Sequence, residues 1–341
     1  MKFKLDERKL QPGDIILAGY NDADSREIQR RTNSLYSHAM LYWYSSIIHS
    51  TEIVITENPS RMLYEDGENV CVLRLKAELR QDARIKILID YARSFVGTLY
   101  DKVALDAMAE DAEFKPNKNR QMCAKFVAQC FNHVLIDLVD DYERCSPQDL
   151  INLRVIDIIN DVLIEATPID EEFANTPDVT SDQYRAIFSI INRLRKKFPD
   201  ADIMSLQQLE SFLESNPEQD EVIVDIMSKT DYFKLWEIER EKCPYLYNID
   251  SYKNFPYCKD KIRHAIQIIE DSKRITQERN SLKEYYSEQI EKVGQLNYYC
   301  KMIELQDNII GTANERIEVA NSFLKENNIV KIGFPWCVGN R

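Results

Sequence analysis

The chain has 341 residues, of which 57 are acidic and 44 basic, and its formal net charge is −13. No run of Lys and Arg interleaved with aromatic residues interrupts this acidic background, which argues against nucleic acid as a ligand. The length suits one large or two ordinary domains, and we expect two.

The first residues, MKFKLDERKLQPGD, contain no apolar core of signal-peptide length, and no later stretch reaches the roughly 18 uncharged residues of a membrane span. We therefore expect a soluble protein made in the cytoplasm, with export as an effector left open. Eight cysteines occur without a C-x-x-C pair or histidines at zinc-finger spacing, so we expect free thiols, no structural metal and no cofactor. The cysteines are at positions 71, 123, 130, 145, 243, 258, 300 and 337.

The chain begins with strand patterns. A tight turn at Pro12-Gly13 precedes a predicted strand from Ile15 to Ala18, and residues 23–35 predict a short helix or an ordered loop.

Residues 37–56, SHAMLYWYSSIIHSTEIVIT, predict a β-hairpin that turns near Tyr44. His38 shares a strand face with Met40. If the loop holds two or four residues, His49 lies on the same face as His38, and if it holds three, Glu52 takes that place. Either register gives His38 a polar neighbour, although a strand histidine can equally be an ordinary core or surface residue.

A predicted strand at residues 69–75 and an amphipathic helix at residues 82–96 follow, and the helix ends at Gly97. Residues 115–120 have the composition of a loop. This loop leads to the helix of residues 120–134.

Cys123 stands at the start of that helix, RQMCAKFVAQCFNHV, where free backbone N–H groups and the helix dipole lower a thiol pKa. It is therefore our candidate nucleophile. The alternative is a structural cysteine, because steps of four and three lead from Cys123 to Val127 and Cys130 on the apolar face. We interpret Cys130 as a core residue and His133 as a residue of the helix surface.

A last strand is expected at residues 162–164, and helical spacing dominates after residue 178. We expect a first domain at residues 1–170 and an all-α domain at 178–341 that serves in interaction, capping or oligomerisation. Residues 259–327 predict one long helix or an antiparallel helical hairpin, and the apolar tail of residues 330–340 is expected to dock on the body.

Seven short motifs together resemble the circularly permuted branch of the NlpC-type, papain-like cysteine hydrolases. This branch includes the bacterial YiiX/YebB-like group and relatives of lecithin:retinol acyltransferase. The resemblance covers about residues 10–165 and implies an α+β fold in which an antiparallel sheet packs on the cysteine-bearing helix. The motifs are GDII (13–16), YSH (36–38), IIHST (47–51), VLRL (72–75), GTLYD (97–101), MCAKFVAQCF (122–131) and SPQDL (146–150).

The resemblance also implies roles. Cys123 would be the nucleophile and His38 the base, with His49, or alternatively Glu52, orienting the imidazole, and with Tyr100 lining the site. Imidazole next to a thiol gives a thiolate–imidazolium pair, and the Cys123 N–H would stabilise an oxyanion.

Three functions remain open at this point. The first is a hydrolase that cleaves an amide bond in a peptide or cell-wall-type substrate through a thioacyl-enzyme. The second is a lipid or protein acyl hydrolase or acyltransferase using the same Cys-His pair. The third is an inactive scaffold whose helical half binds a protein partner or self-associates.

Overall fold

The computed structural model describes most of the chain. The predicted docking of the tail, Cys337 and part of the predicted loop at 115–120 lie outside the described residues. The described residues are 1–44, 46–109, 112–113, 115, 117, 119–151, 154–201, 203–258 and 260–327.

Strands fill the first part of the chain, and the strands predicted at residues 15–18, 69–75 and 162–164 are confirmed. The nine strands within the described residues are β1 (Lys2–Leu5), β2 (Ile15–Gly19), β3 (His38–Trp43), β4 (Ser46–Ser50), β5 (Val54–Glu57), β6 (Tyr64–Glu65), β7 (Asn69–Leu75), β8 (Ile156–Ile159) and β9 (Leu163–Glu165).

Two antiparallel sheets result. The larger has the strand order β5-β4-β3-β2-β7-β8, and the smaller has the order β6-β1-β9. Only residues 44 and 45 separate β3 from β4, and Tyr44 adopts the left-handed conformation with φ 51°. The hairpin therefore has the two-residue loop that the sequence left as one alternative.

Helices flank the sheet and make up most of the later chain. The predicted helices at 23–35 and 82–96 are present, and residues 259–327 form the antiparallel hairpin rather than one helix. The helices are α1 (Ala23–Thr32), α2 (Asp82–Ser94), α3 (Lys102–Ala109), α4 (Cys123–His133), α5 (Pro168–Ala174), α6 (Val179–Lys197), α7 (Leu206–Ser215), α8 (Asp220–Ser228), α9 (Leu235–Lys242), α10 (Ile249–Asn254), α11 (Lys261–Val293) and α12 (Asn297–Glu326).

The main hydrophobic core lies between one face of the larger sheet and helices α2 and α4. Leu17 and Leu41 from the sheet meet Phe126 and Phe131 of α4, and all four are fully buried. The opposite sheet face buries a second cluster that includes Met40. The α+β fold with a sheet packed on the cysteine-bearing helix is thus confirmed.

The described residues group into two compact units. The first comprises Met1–Thr176 and Thr180–Ser215, and the second comprises Pro177–Val179 and the chain from Asn216 onward. The first unit therefore extends past the expected boundary near residue 178. The reason is that α6 buries an apolar face, including Ile187, within this unit, which helical periodicity alone could not assign to either side.

The second unit is built on the hairpin of α11 and α12. The Asp220 carboxylate accepts hydrogen bonds from the backbone N–H groups of Asn297 and Tyr298, at 2.7 and 2.8 Å, and so satisfies free donors at the start of α12. The role of this unit in interaction, capping or oligomerisation stays a prediction.

Across the described residues, no helix combines the length and the apolar character that crossing a bilayer requires. The seven cysteines in this part of the chain are all free thiols.

Candidate active site

Cys123 occupies the first position of α4, and its sulfur contacts the strand that carries His38. The thiol donates a weak hydrogen bond to the carbonyl oxygen of Ser37, with 3.8 Å between sulfur and oxygen. Three backbone N–H groups point toward the same sulfur, those of Ala39, Cys123 and Ala124. The Cys123 side chain is only 6% exposed, so these dipoles act on it with little screening.

The other residues on the apolar face of α4 pack in the hydrophobic core, as predicted. Val127 and Cys130 are fully buried in the main core. His133 is exposed and stacks on Tyr91, with ring centroids 3.8 Å apart. Cys130 and His133, the two other candidate groups on α4, thus lie outside the site.

His38 and His49 form a direct imidazole pair. His38 Nε2 and His49 Nδ1 are 2.7 Å apart, and the rings meet edge-on at 74°. The pair arises because β3 and β4 are registered Met40 to His49, which puts both histidines on one face. His49 is 3% exposed, whereas His38 is half-buried.

Glu57 stands behind the pair, and the sequence reasoning missed it. Its Oε2 lies 3.1 Å from His49 Nε2, an ion-pair distance without hydrogen-bond geometry. Strand β5 pairs with β4 through Ile47 and Glu57, so Glu57 shares the face of His49. The acidic end of the run VITE was the available signal, but its register could not be read.

Glu52, the alternative partner of His38, takes a different place. Its Oε2 accepts a hydrogen bond of 2.5 Å from the Tyr184 hydroxyl, and within the described residues it makes no contact with either imidazole. The two-residue hairpin loop is the physical reason, because it assigns the face of His38 to His49 instead.

Tyr100 does lie at the site. Its hydroxyl lies near enough to the Cys123 sulfur for each group to affect the pKa of the other. A parallel bridge joins Tyr100 to Gln121, two residues before the cysteine. Tyr20, which no sequence pattern singled out, lies within electrostatic reach of both Cys123 and Glu57.

The resting site favours neutral groups. Burial raises the pKa of Cys123, against the opposing effect of the N–H groups and of Tyr100. Burial, together with His49, lowers the pKa of His38 to about 3. Burial thus favours the neutral forms of the Cys123 thiol and the His38 imidazole, whereas the thiolate–imidazolium pair that the resemblance implies requires both groups to be charged.

The thiol also has no hydrogen bond to His38 among the described residues, since its proton is directed to Ser37. His38 uses Nε2 for His49, so Nδ1 is the nitrogen left to receive a proton. Contacts between catalytic groups are often loose before substrate binds.

Residues 9–150 match the model of a family described as permuted papain-like amidase enzymes, YaeF/YiiX, the C92 family. This part of the chain is a permuted papain-like domain. The family supports a hydrolase of the amidase type. The chain from residue 151 onward, which includes β8, β9 and the helices α5 to α12, lies outside the matched region.

The chain also resembles a solved structure. A crystal structure described as the metalloprotein yiiX from Escherichia coli O157:H7 aligns with a TM-score of 0.34 and 19% identity. The alignment covers 44% of this chain and 97% of that one. No curated protein matched the chain.

Proposed function

We propose that the protein is a cysteine hydrolase that cleaves an amide bond in a peptide or cell-wall-type substrate, with Cys123 as nucleophile and His38 as base. The observation that carries this proposal is the line of contacts from Glu57 through His49 to His38, the first residue of β3. The Cys123 sulfur contacts the carbonyl oxygen of Ser37, the residue before His38. The amidase family of residues 9–150 supports the same reaction class.

The line of contacts supports one arrangement of the protons. The negative charge of the Glu57 carboxylate, 3.1 Å away, favours a proton on His49 Nε2. His49 Nδ1 then has a free lone pair and accepts from His38 Nε2. His38 Nδ1 is left unprotonated, which is the state that a general base requires.

The reaction then follows from these positions. As the Cys123 sulfur attacks the substrate carbonyl carbon, its proton passes to His38 Nδ1. Collapse of the tetrahedral intermediate breaks the C–N bond, and His38 returns the proton to the departing amine nitrogen. Water, deprotonated by His38, attacks the thioester, and breakage of the C–S bond releases the acid and restores the thiol.

Backbone donors support the intermediate. The N–H groups of Cys123 and Ala124 are at the positive end of α4 and are not used within the helix. Donors of this kind stabilise the negative oxygen of an acyl-transfer intermediate.

A resident metal is not part of this proposal. The neighbour from Escherichia coli is described as a metalloprotein, but the two imidazole nitrogens here are 2.7 Å apart, closer than the about 3.3 Å between two ligands on a tetrahedral zinc ion. Among the described residues, no group of three His, Cys, Asp or Glu side chains converges as a metal site. These two nitrogens therefore cannot ligate one zinc ion in this arrangement, and no step of the proposed reaction runs through a metal.

Turnover and covalent labelling together test the proposal. Purified protein is incubated separately with peptides, peptidoglycan fragments and acyl esters, and the acyl adduct on Cys123 is identified by mass spectrometry. We expect an adduct with an amide substrate, and loss of turnover in Cys123→Ala and His38→Ala. Cys130→Ala and His133→Ala are the matched controls and should keep activity.

Other outcomes distinguish the alternatives. An adduct of fatty-acid mass would replace the amidase with an acyl hydrolase or acyltransferase. Normal turnover in Cys123→Ala or His38→Ala would overturn the proposal, and no adduct with any of the three substrate classes would favour the inactive scaffold.

A further inference from the structure

Helix α6 lies beyond the matched region of residues 9–150, yet it packs on two segments of that region, one of which carries Tyr100. Its Tyr184 hydroxyl donates to the Glu52 carboxylate at 2.5 Å. One turn later, Ile187 approaches Gly97 so closely that a Cβ there would lie 2.7 Å from Cγ2 of the isoleucine. Thus α6 contacts both segment 52–54 and segment 97–100.

These two segments are paired with each other by backbone hydrogen bonds. Gly97 N–H donates to Val54 O, and Val54 N–H donates to Thr98 O, both at 2.8 Å. Two residues farther along, Tyr100 N–H donates to Glu52 O at 2.9 Å. The two segments form a short ladder, which Ile187 contacts at Gly97 and Tyr184 contacts at Glu52, the residue that pairs with Tyr100.

Tyr100 continues the connection to the nucleophile. Its carbonyl oxygen accepts a hydrogen bond of 3.1 Å from the Arg120 side chain. A parallel β-bridge also joins Tyr100 to Gln121, two residues before the start of α4. The Tyr100 hydroxyl lies near enough to the Cys123 sulfur to lower the pKa of that thiol. A shift of the ladder would therefore move a hydrogen-bond donor relative to the thiol.

We propose that Tyr184 and Ile187 are positioning residues, which hold Tyr100 through the 52–54 and 97–100 ladder and so set the reactivity of Cys123. The inference rests on the proposed function for its catalytic meaning. By this inference α6 is part of the active domain, although it lies outside residues 9–150, which match the family model.

The test is the rate at which iodoacetamide alkylates Cys123, measured against pH in the full-length protein by mass spectrometry of the labelled peptide. Tyr100→Phe removes a donor to the thiolate and should slow alkylation at pH 8 about tenfold. Tyr184→Phe and Ile187→Ala should each slow it by at least about threefold, in the same direction, because they loosen the same donor.

A double variant separates positioning from general destabilisation. Ile187→Ala combined with Tyr100→Phe should alkylate as fast as Tyr100→Phe alone, since the contact is already absent. Leu194→Ala is the matched control, because Leu194 is also fully buried on α6 and loses the same number of carbon atoms. It should lower the melting temperature but leave the alkylation rate within about twofold of wild type.

Folded α6 variants with wild-type alkylation rates would overturn the inference. So would a Leu194→Ala variant slowed as much as Ile187→Ala, or additive effects in the double variant. Retained amide turnover in Cys123→Ala would overturn the proposed function instead, and the alkylation comparison would still measure the coupling of α6 to the thiol.

Discussion

Glu57 lies 3.1 Å from the ring nitrogen of His49 that does not face His38. A carboxylate thus stands at the far end of the imidazole pair, where it can act on His38 without touching it. Two consecutive imidazoles have no intrinsic preference for the direction of their shared proton, whereas a carboxylate at one end supplies that preference.

Glu57→Gln should lower kcat about tenfold with little change in KM, because an amide fixes the tautomer of His49 less strongly than a carboxylate does. Steady-state kinetics with the substrate identified by the adduct experiment would measure this effect. Glu65→Gln, at an exposed position of β6, is the control and should leave kcat unchanged. Equal kinetics for the two variants would contradict the proposed relay.

The pH dependence of Cys123 alkylation distinguishes a neutral resting pair from an ion pair. Because burial raises the pKa of Cys123, the thiolate fraction should keep increasing with pH beyond pH 9. The rate with iodoacetamide, a neutral reagent, should therefore rise throughout that range. A plateau that begins at acidic pH would instead indicate a preformed thiolate–imidazolium pair.

The stability of the first unit should fall in mild acid for a related reason. The pKa of His38 is lowered to about 3 in the folded protein and is about 6.5 in an unfolded chain. As the pH falls below 6.5, the unfolded state binds a proton that the folded state does not, so the free energy of unfolding decreases until about pH 3.

Urea unfolding at pH 7 and pH 5 would measure this contribution. Other groups titrate in the same interval, so the comparison is between wild type and His38→Asn, which should lose less stability between the two pH values. His133→Gln, at an exposed position, should behave as wild type. Equal losses in His38→Asn and wild type would contradict the assignment.

Gly97→Ala should destabilise the first unit more than Gly67→Ala does. Both glycines have a positive φ, +92° and +82°, but a Cβ on Gly67 would meet nothing within 4 Å, whereas one on Gly97 would clash with Ile187. We expect about 1 kcal/mol for the backbone strain at Gly67 and about 2–3 kcal/mol for strain plus clash at Gly97.

Ile187→Ala in the Gly97→Ala background tests the steric share of that cost. Removing the Ile187 side chain should restore part of the stability lost in Gly97→Ala, as measured by chemical denaturation. No recovery would assign the whole cost to the backbone.

The sequence supplied much of the site because its information there was local. A cysteine at a helix start and two histidines on adjacent strands can be recognised from spacing, and the order of the motifs led to the permuted papain-like domain. The position of Glu57 depends instead on how β5 pairs with β4, and residues 51–53 between these strands carry no turn signal that fixes their register. Tyr20 is near the sulfur only through the three-dimensional closure of the fold.

The boundary of the first unit shows the same limit. Helical spacing identified the residues of α6 as a helix, but the identity of its partner depends on Gly97, more than eighty positions earlier. Ile187 can pack there because Gly97 has no side chain, and a single glycine in the sequence does not predict such a contact.

The low exposure of Cys123 has a consequence for the chemistry of damage. Peroxide attacks thiolates that solvent can reach, and the first product is a sulfenic acid. Cys123 is only 6% exposed and its thiol is mostly protonated, so it presents little accessible thiolate to peroxide. The arrangement of burial and a raised pKa should therefore protect the nucleophile from oxidative inactivation, and the protection would end only when substrate binding draws the proton away.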